Sequence, residues 1–197
     1  MTSDIYVLER FSTDNRAIPA EAEKVARYND LDKQSSMRLR LLAEEMICML
    51  PQLLIYGKGR FWIENNGRDY ELHLHVEPND IKAADRNSII NVSTEKKNAA
   101  AVGLINKICN AVEIMRANRD EIVKDDPFRF LSTGMIEYSD HTAWSLMSYR
   151  DSFDAPAKKE NNEAWDELEK SIIGNLADDV IVGVLNGKVD IVVKKSF

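Results

Sequence analysis

The sequence predicts an α+β fold: a two-layer sandwich with helices on one face of a mixed, mostly antiparallel sheet. Three observations carry that prediction. Tyr70, Leu72, Leu74 and Val76 alternate with Glu71, His73, His75 and Glu77, the period-two pattern of a half-buried strand. Two β-branched runs, 180–185 and 188–193, flank Asn186-Gly187, a dipeptide that fits a two-residue type I′ hairpin loop. Counted from Leu39, apolar residues recur at offsets of three, four, seven, eight and eleven (Leu42, Ala43, Met46, Ile47 and Leu50), one face of an α-helix.

The remaining elements follow in chain order. Ile5 to Leu8 reads as a first strand. Pro19 opens a helix through Tyr28, where its missing N–H costs nothing. Leu31 and Asp32 precede the long second helix, Pro51 falls at its end, and Gly57 and Gly59 mark a flexible turn. Phe61 to Glu64 is a strand joined through Asn66-Gly67 to the alternating strand at 70–76. Thr94 caps a helix with a stripe of Ala101, Ile105, Ile108, Val112 and Met115, and residues 118–126 close it. Residues 127–162 carry only a weak pattern. Their aromatic content, Trp144 included, indicates packing, and 118–162 reads as an irregular or helical insertion. Trp165, Leu168, Ile172 and Leu176 form the last helical stripe, closed by Asp178-Asp179. These elements compose a single domain over 1–197.

Composition narrows the function classes. The 197 residues are 44% hydrophobic and 30% charged, enough for a buried core. Lys and Arg number 26 against 33 Asp and Glu, for a net charge of −7. No basic face is expected for nucleic acid, which is bound by displacing counterions from phosphate. No run reaches the ~20 apolar residues of a membrane span, and the first ten residues lack an export signal, so the expectation is a cytoplasmic protein. Cys48 and Cys109 lie in apolar helical segments and read as buried, reduced thiols. No Gly-x-Ser-x-Gly elbow is present to support a hydrolase.

Two blocks resemble the anti-sigma-factor serine kinase branch of the histidine-kinase-type (GHKL) ATPases, and a group of bacterial proteins loosely labelled ATP-binding. The first runs from Ala20 to Val76 and includes Leu39-Arg-Leu-Leu-Ala-Glu-Glu-Met-Ile-Cys-Met-Leu50 and the strand pair at 61–64 and 70–76. The second is Glu169 to Phe197, with Ile172-Ile-Gly-Asn-Leu-Ala-Asp-Asp-Val180, a hairpin and Lys194-Lys-Ser-Phe197. The resemblance implies the family's sandwich fold and, from its members' grip on sigma factors or antagonists, a protein partner; a homodimer is compatible with it.

The resemblance also implies an ATP site, from which this sequence departs. Active members carry Glu and, four residues on, an Asn that holds Mg²⁺. Here Glu45 is followed at that spacing by Met49, and Glu44 by Cys48. Sulfur is a poor ligand for so hard a cation. The family's adenine-reading Asp has displaced counterparts only in Asn79 or Asp80. No glycine follows before Gly103, and Gly174 stands alone where a Gly-rich lid is expected. The helix at 94–115 and the segment after it are placed to occupy the vacated nucleotide site.

The expectation is therefore a non-catalytic regulatory or protein-binding module with no cofactor. One alternative is a nucleotide-binding anti-sigma-kinase-like protein with a rearranged Mg-ATP site, using Glu45 as base and Asn79 or Asp80 toward adenine. Another is a metal protein using His73 and His75, which share a strand face with Glu71 and Glu77; His141 is the one other histidine. Trp62 lies on the strand face opposite Phe61 and Ile63 and is the expected exposed or interface aromatic.

Overall fold

The structure, a computed structural model, describes residues 1–9, 13–53, 58–77, 135–138, 141–152, 171–185 and 188–197. Its strands are β1 (Tyr6–Leu8), β2 (Lys58–Asn66), β3 (Asp69–Glu77), β4 (Met135–Tyr138), β5 (His141–Ser145), β6 (Asp179–Leu185) and β7 (Lys188–Ser196). Its helices are a 3₁₀ turn at Thr13–Ala17, then α1 (Ile18–Tyr28), α2 (Lys33–Leu53), α3 (Leu146–Asp151) and α4 (Ile172–Leu176). One seven-stranded sheet runs in the order β1-β2-β3-β7-β6-β5-β4. Every described pairing is antiparallel, so the expected mixed character is not found. The architecture is α+β, with the helices against one face of the sheet.

Register explains that layering. One row across the sheet reads Tyr6, Phe61, Leu74, Ile191, Val182 and Trp144. Cross-strand partners share a face, and this row enters the core with Leu39, Leu42, Met46, Met49 and Leu50 of α2 and Ile18, Ala22, Val25 and Ala26 of α1. The alternate residues of the same strands form the outer face.

Helix ends are set by local polar chemistry. Asp32 caps α2, accepting from the Gln34 and Ser35 amides at 2.8 and 3.0 Å. Asp30, at φ 52, ends α1 in the left-handed region. The amides of Asp30 and Leu31 return to the carbonyls of Arg27 and Ala26, a Schellman closure with Leu31 packed on the core. Asp30 bears the strain that glycine would avoid. At the β2–β3 hairpin Asn66 pairs with Asp69, and the positive φ, 63°, belongs to Gly67, the first of the two loop residues, as a type II′ turn requires.

Several expectations change. Gly59 is no turn residue; it is buried in β2, paired with Leu8 and Val76. Cys48 is exposed, because the buried arc of α2 passes through Met46, Met49 and Leu50 and leaves it on the far side. Ile172 is exposed and Ile173 buried, since Ser171 caps α4 and starts its own helical phase there. Within the stretch of weak pattern, β4 and β5 extend the sheet and α3 follows them. The helix at 94–115, Asn79, Asp80, Gly103, Cys109, Trp165 and the Asn186-Gly187 turn lie outside the described residues.

The Asp-Asp pair that follows α4 is a structural joint. Asp179 Oδ1 accepts from Ser145 Oγ at 3.0 Å and from the amides of Met147 and Val180 at 2.9 and 2.8 Å. Asp178 accepts from Lys195 Nζ and the Ser196 amide, each at 2.6 Å. Arg150 reaches across from α3 and donates to the carbonyls of Gly174, Ala177 and Asp178. One arginine thus holds the last turn of α4 where its carbonyls would otherwise lack donors.

Glu21, 6% exposed, accepts a 2.8 Å hydrogen bond from the Tyr6 hydroxyl and ties β1 to α1. Burial, and then the Glu21 carboxylate, push the Tyr6 phenol up to about 12, so it remains a donor throughout the neutral range. Tyr6→Phe leaves a buried carboxylate short of that partner. The expected cost is about 1–3 kcal/mol in urea unfolding, with the m-value unchanged.

Candidate functional site

The outer face of β2, β3 and β7 holds the sequence-predicted residues that the structure brings together. Alternation places Arg60, Trp62 and Glu64 on it from β2, and Glu71, His73, His75 and Glu77 from β3. Lys188, Asp190, Val192 and Lys194 come from β7. Pairing sorts them into rows: Arg60, His75, Asp190; Trp62, His73, Val192; Glu64, Glu71, Lys194. The middle row is aromatic and apolar, and the rows beside it are charged.

Trp62 is half-buried, and its ring lies parallel to that of His73, centroids 4.7 Å apart with 1° between planes. The indole Nε1–H donates to Glu64 Oε1 at 2.8 Å. The expected exposed aromatic is therefore half of a stacked pair with its polar edge satisfied. His73 Nε2 is buried without a hydrogen bond and lies 3.4 Å from Glu71 Oε2. Burial holds the ring below the ordinary histidine value, against the pull of Glu64, Glu71 and Asp190. Burial thus favours the neutral ring, for which the Glu71 contact is a proximity and not an ion pair.

His75 is engaged at both nitrogens. Nδ1 lies 2.6 Å from Asp190 Oδ1, and Nε2 lies 3.3 Å from Glu77 Oε1. Glu77 also accepts from Lys188 Nζ at 2.9 Å and meets Arg60 at 3.5 Å. Lys188 first, and then His75, hold the Glu77 carboxyl below its usual value. Lys194 Nζ meets Glu71 Oε1 at 3.2 Å. The charges on this face largely answer one another, in exposed pairs that individually add little stability.

No group of three metal-ligating side chains converges among the described residues. His141 opens β5, three strands from β3 in the sheet order, about 14 Å at ordinary strand spacing. Metal–nitrogen bonds of about 2 Å do not bridge that gap, and we do not assign His73 or His75 as ligands.

The α2 residues named by the family resemblance separate around the helix. Met49 is fully buried and Glu45 half-buried. Glu44 accepts from Arg40 Nε at 2.8 Å, and Arg40 also binds Glu23 of α1. Cys48 shares the side of Glu44, one turn on. Sequence reasoning missed Asp190 and Lys194 as members of the outer face. The period-two count along β7 marks their strand face, but only the β3–β7 register brings them to the histidines.

A scan against protein-family models finds no match, and searches of curated proteins and of solved structures find none either. Among the described residues no helix is long and apolar enough to cross a membrane.

The stacked pair has a measurable coupling. A double-mutant cycle of Trp62→Ala and His73→Ala, read by chemical unfolding, is expected to return about 0.5–1.5 kcal/mol of interaction energy. Additive single costs would contradict the stack.

Proposed function

We propose that the chain is a non-catalytic, protein-binding regulatory module on a degenerate scaffold of the histidine-kinase-type ATPase kind, acting in the cytoplasm. The observation that carries this reading is the burial of Met49, 0% exposed among core side chains of α1, α2 and the sheet. The resemblance calls for an Mg²⁺ ligand at that spacing from Glu45. A buried thioether offers the cation neither an oxygen nor an approach.

The outer face supports the protein-binding half of the reading. A half-buried tryptophan beside apolar Val192, rimmed by charged rows, has the composition of an interface centre with a polar rim. Val7, 63% exposed, pairs with Arg60 at the β1 edge and extends that face. A second copy of the chain and a different protein are both admissible occupants.

Thermal unfolding with and without millimolar Mg-ATP tests the proposal. A nucleotide present at a hundred times its Kd would add about 2.7 kcal/mol; the expected result is no shift in Tm and no ATP turnover. A raised Tm would reject the reading and favour a rearranged nucleotide site at Glu45. Trp62→Ala is expected to lose a protein that co-purifies with the native chain, while keeping its far-ultraviolet circular dichroism.

A further inference from the structure

We propose that the outer face contains an acid-operated switch, in which protonation of His73 makes the central row cationic and draws Glu71 from Lys194 to the imidazole. The geometry is already in place. The ring lies flat against Trp62 at 4.7 Å, so its orientation is fixed before any charge appears. Its Nε2 bonds nothing and faces Glu71 Oε2 at 3.4 Å. The other oxygen of that carboxylate holds Lys194 at 3.2 Å.

The imidazolium carries a proton on each nitrogen. Nε2 then becomes a donor aimed at Glu71, and the charge-assisted contact shortens into an ion pair. The stack becomes a cation–π pair with the indole. Lys194 loses part of its hold on Glu71, and the centre of the face gains one positive charge.

The charged and titratable groups around His73 among the described residues come from three strands. Glu64 faces it from β2, Glu71 and His75 from β3, and Asp190 and Lys194 from β7. The three carboxylates favour the cation, while burial and Lys194 oppose it. His75 has no comparable vacancy, because each of its nitrogens already meets a carboxylate. The two histidines therefore differ in their contacts: His75 is bracketed by two carboxylates, and His73 has an unbonded nitrogen facing one.

The sign of the stability effect follows from the direction of the shift. The folded-state value lies below the ordinary 6.5. The neutral ring's contribution is complete above 6.5, declines as pH falls from there toward the folded value, and is level below it.

The test is a pH titration of tryptophan emission, with the Trp62 component taken as the difference between the native protein and Trp62→Phe. A protonated imidazole stacked on an indole quenches it. The expected result is a single loss of Trp62 emission with its midpoint below pH 6.5, absent in His73→Gln and retained in His75→Gln. Emission independent of pH, or a transition that survives His73→Gln, would overturn the proposal. Should His73→Gln fail to fold, the imidazole proton nearest the Trp62 indole is followed by NMR in the native protein. A ring that titrates together with a shift of the Glu71 carboxylate resonance upholds the switch, and a ring that titrates with Glu71 unmoved, or does not titrate before the chain unfolds in acid, refutes it.

Discussion

The placement of β3 between β2 and β7 is the constraint on which the rest of this molecule depends. Eight successive residues of β3 are paired on both sides. A one-residue slip would carry Leu72, Leu74 and Val76 out of the core and drive His73 and His75 into it. The same registration that buries the apolar set also assembles the outer face, because Trp62 meets His73 and Asp190 meets His75 only in this alignment. Core stability and the candidate site are two consequences of one pairing.

The joint at the end of α4 is the second support. Asp178, Asp179 and Arg150 bind β7, α3 and the final turn of α4 to one another through hydrogen bonds, several to main-chain groups. This explains the acidic pair in physical terms without invoking chemistry at a ligand.

Much of the fold was legible in the sequence because the relevant signals are local. Alternation in 70–76, the helical stripe from Leu39 and the two β-branched runs at the C-terminal end each specify their own periodicity. What was illegible is non-local. The short strand β5 gains its partner β6 across more than thirty residues, β4 joins the sheet through β5, and nothing within His141–Ser145 announces that. Cys48 lies beside the apolar stripe in sequence, which suggests burial, but the helix turns it away from the core. The site was partly legible: Trp62 and the two histidines came from face-counting on their own strands. Asp190 and Lys194 joined them only through the order β2-β3-β7. Arg150, one cation in an aromatic-rich stretch, gives no sign in the sequence that it meets the carbonyls around α4.

The outer face is quiet at neutral pH in the sense that its charges are matched, leaving the Trp62 row as its distinguishing feature. A surface of that kind suits recognition by shape and apolar contact, with the flanking charges setting orientation. Amide hydrogen exchange resolved along β1, β2, β3 and β7 tests the organising registration most directly. The account predicts that β3 amides are the slowest of the four strands and exchange only through global unfolding, while β1, at the sheet edge, opens locally. Protection in β3 no greater than in β1 would contradict it.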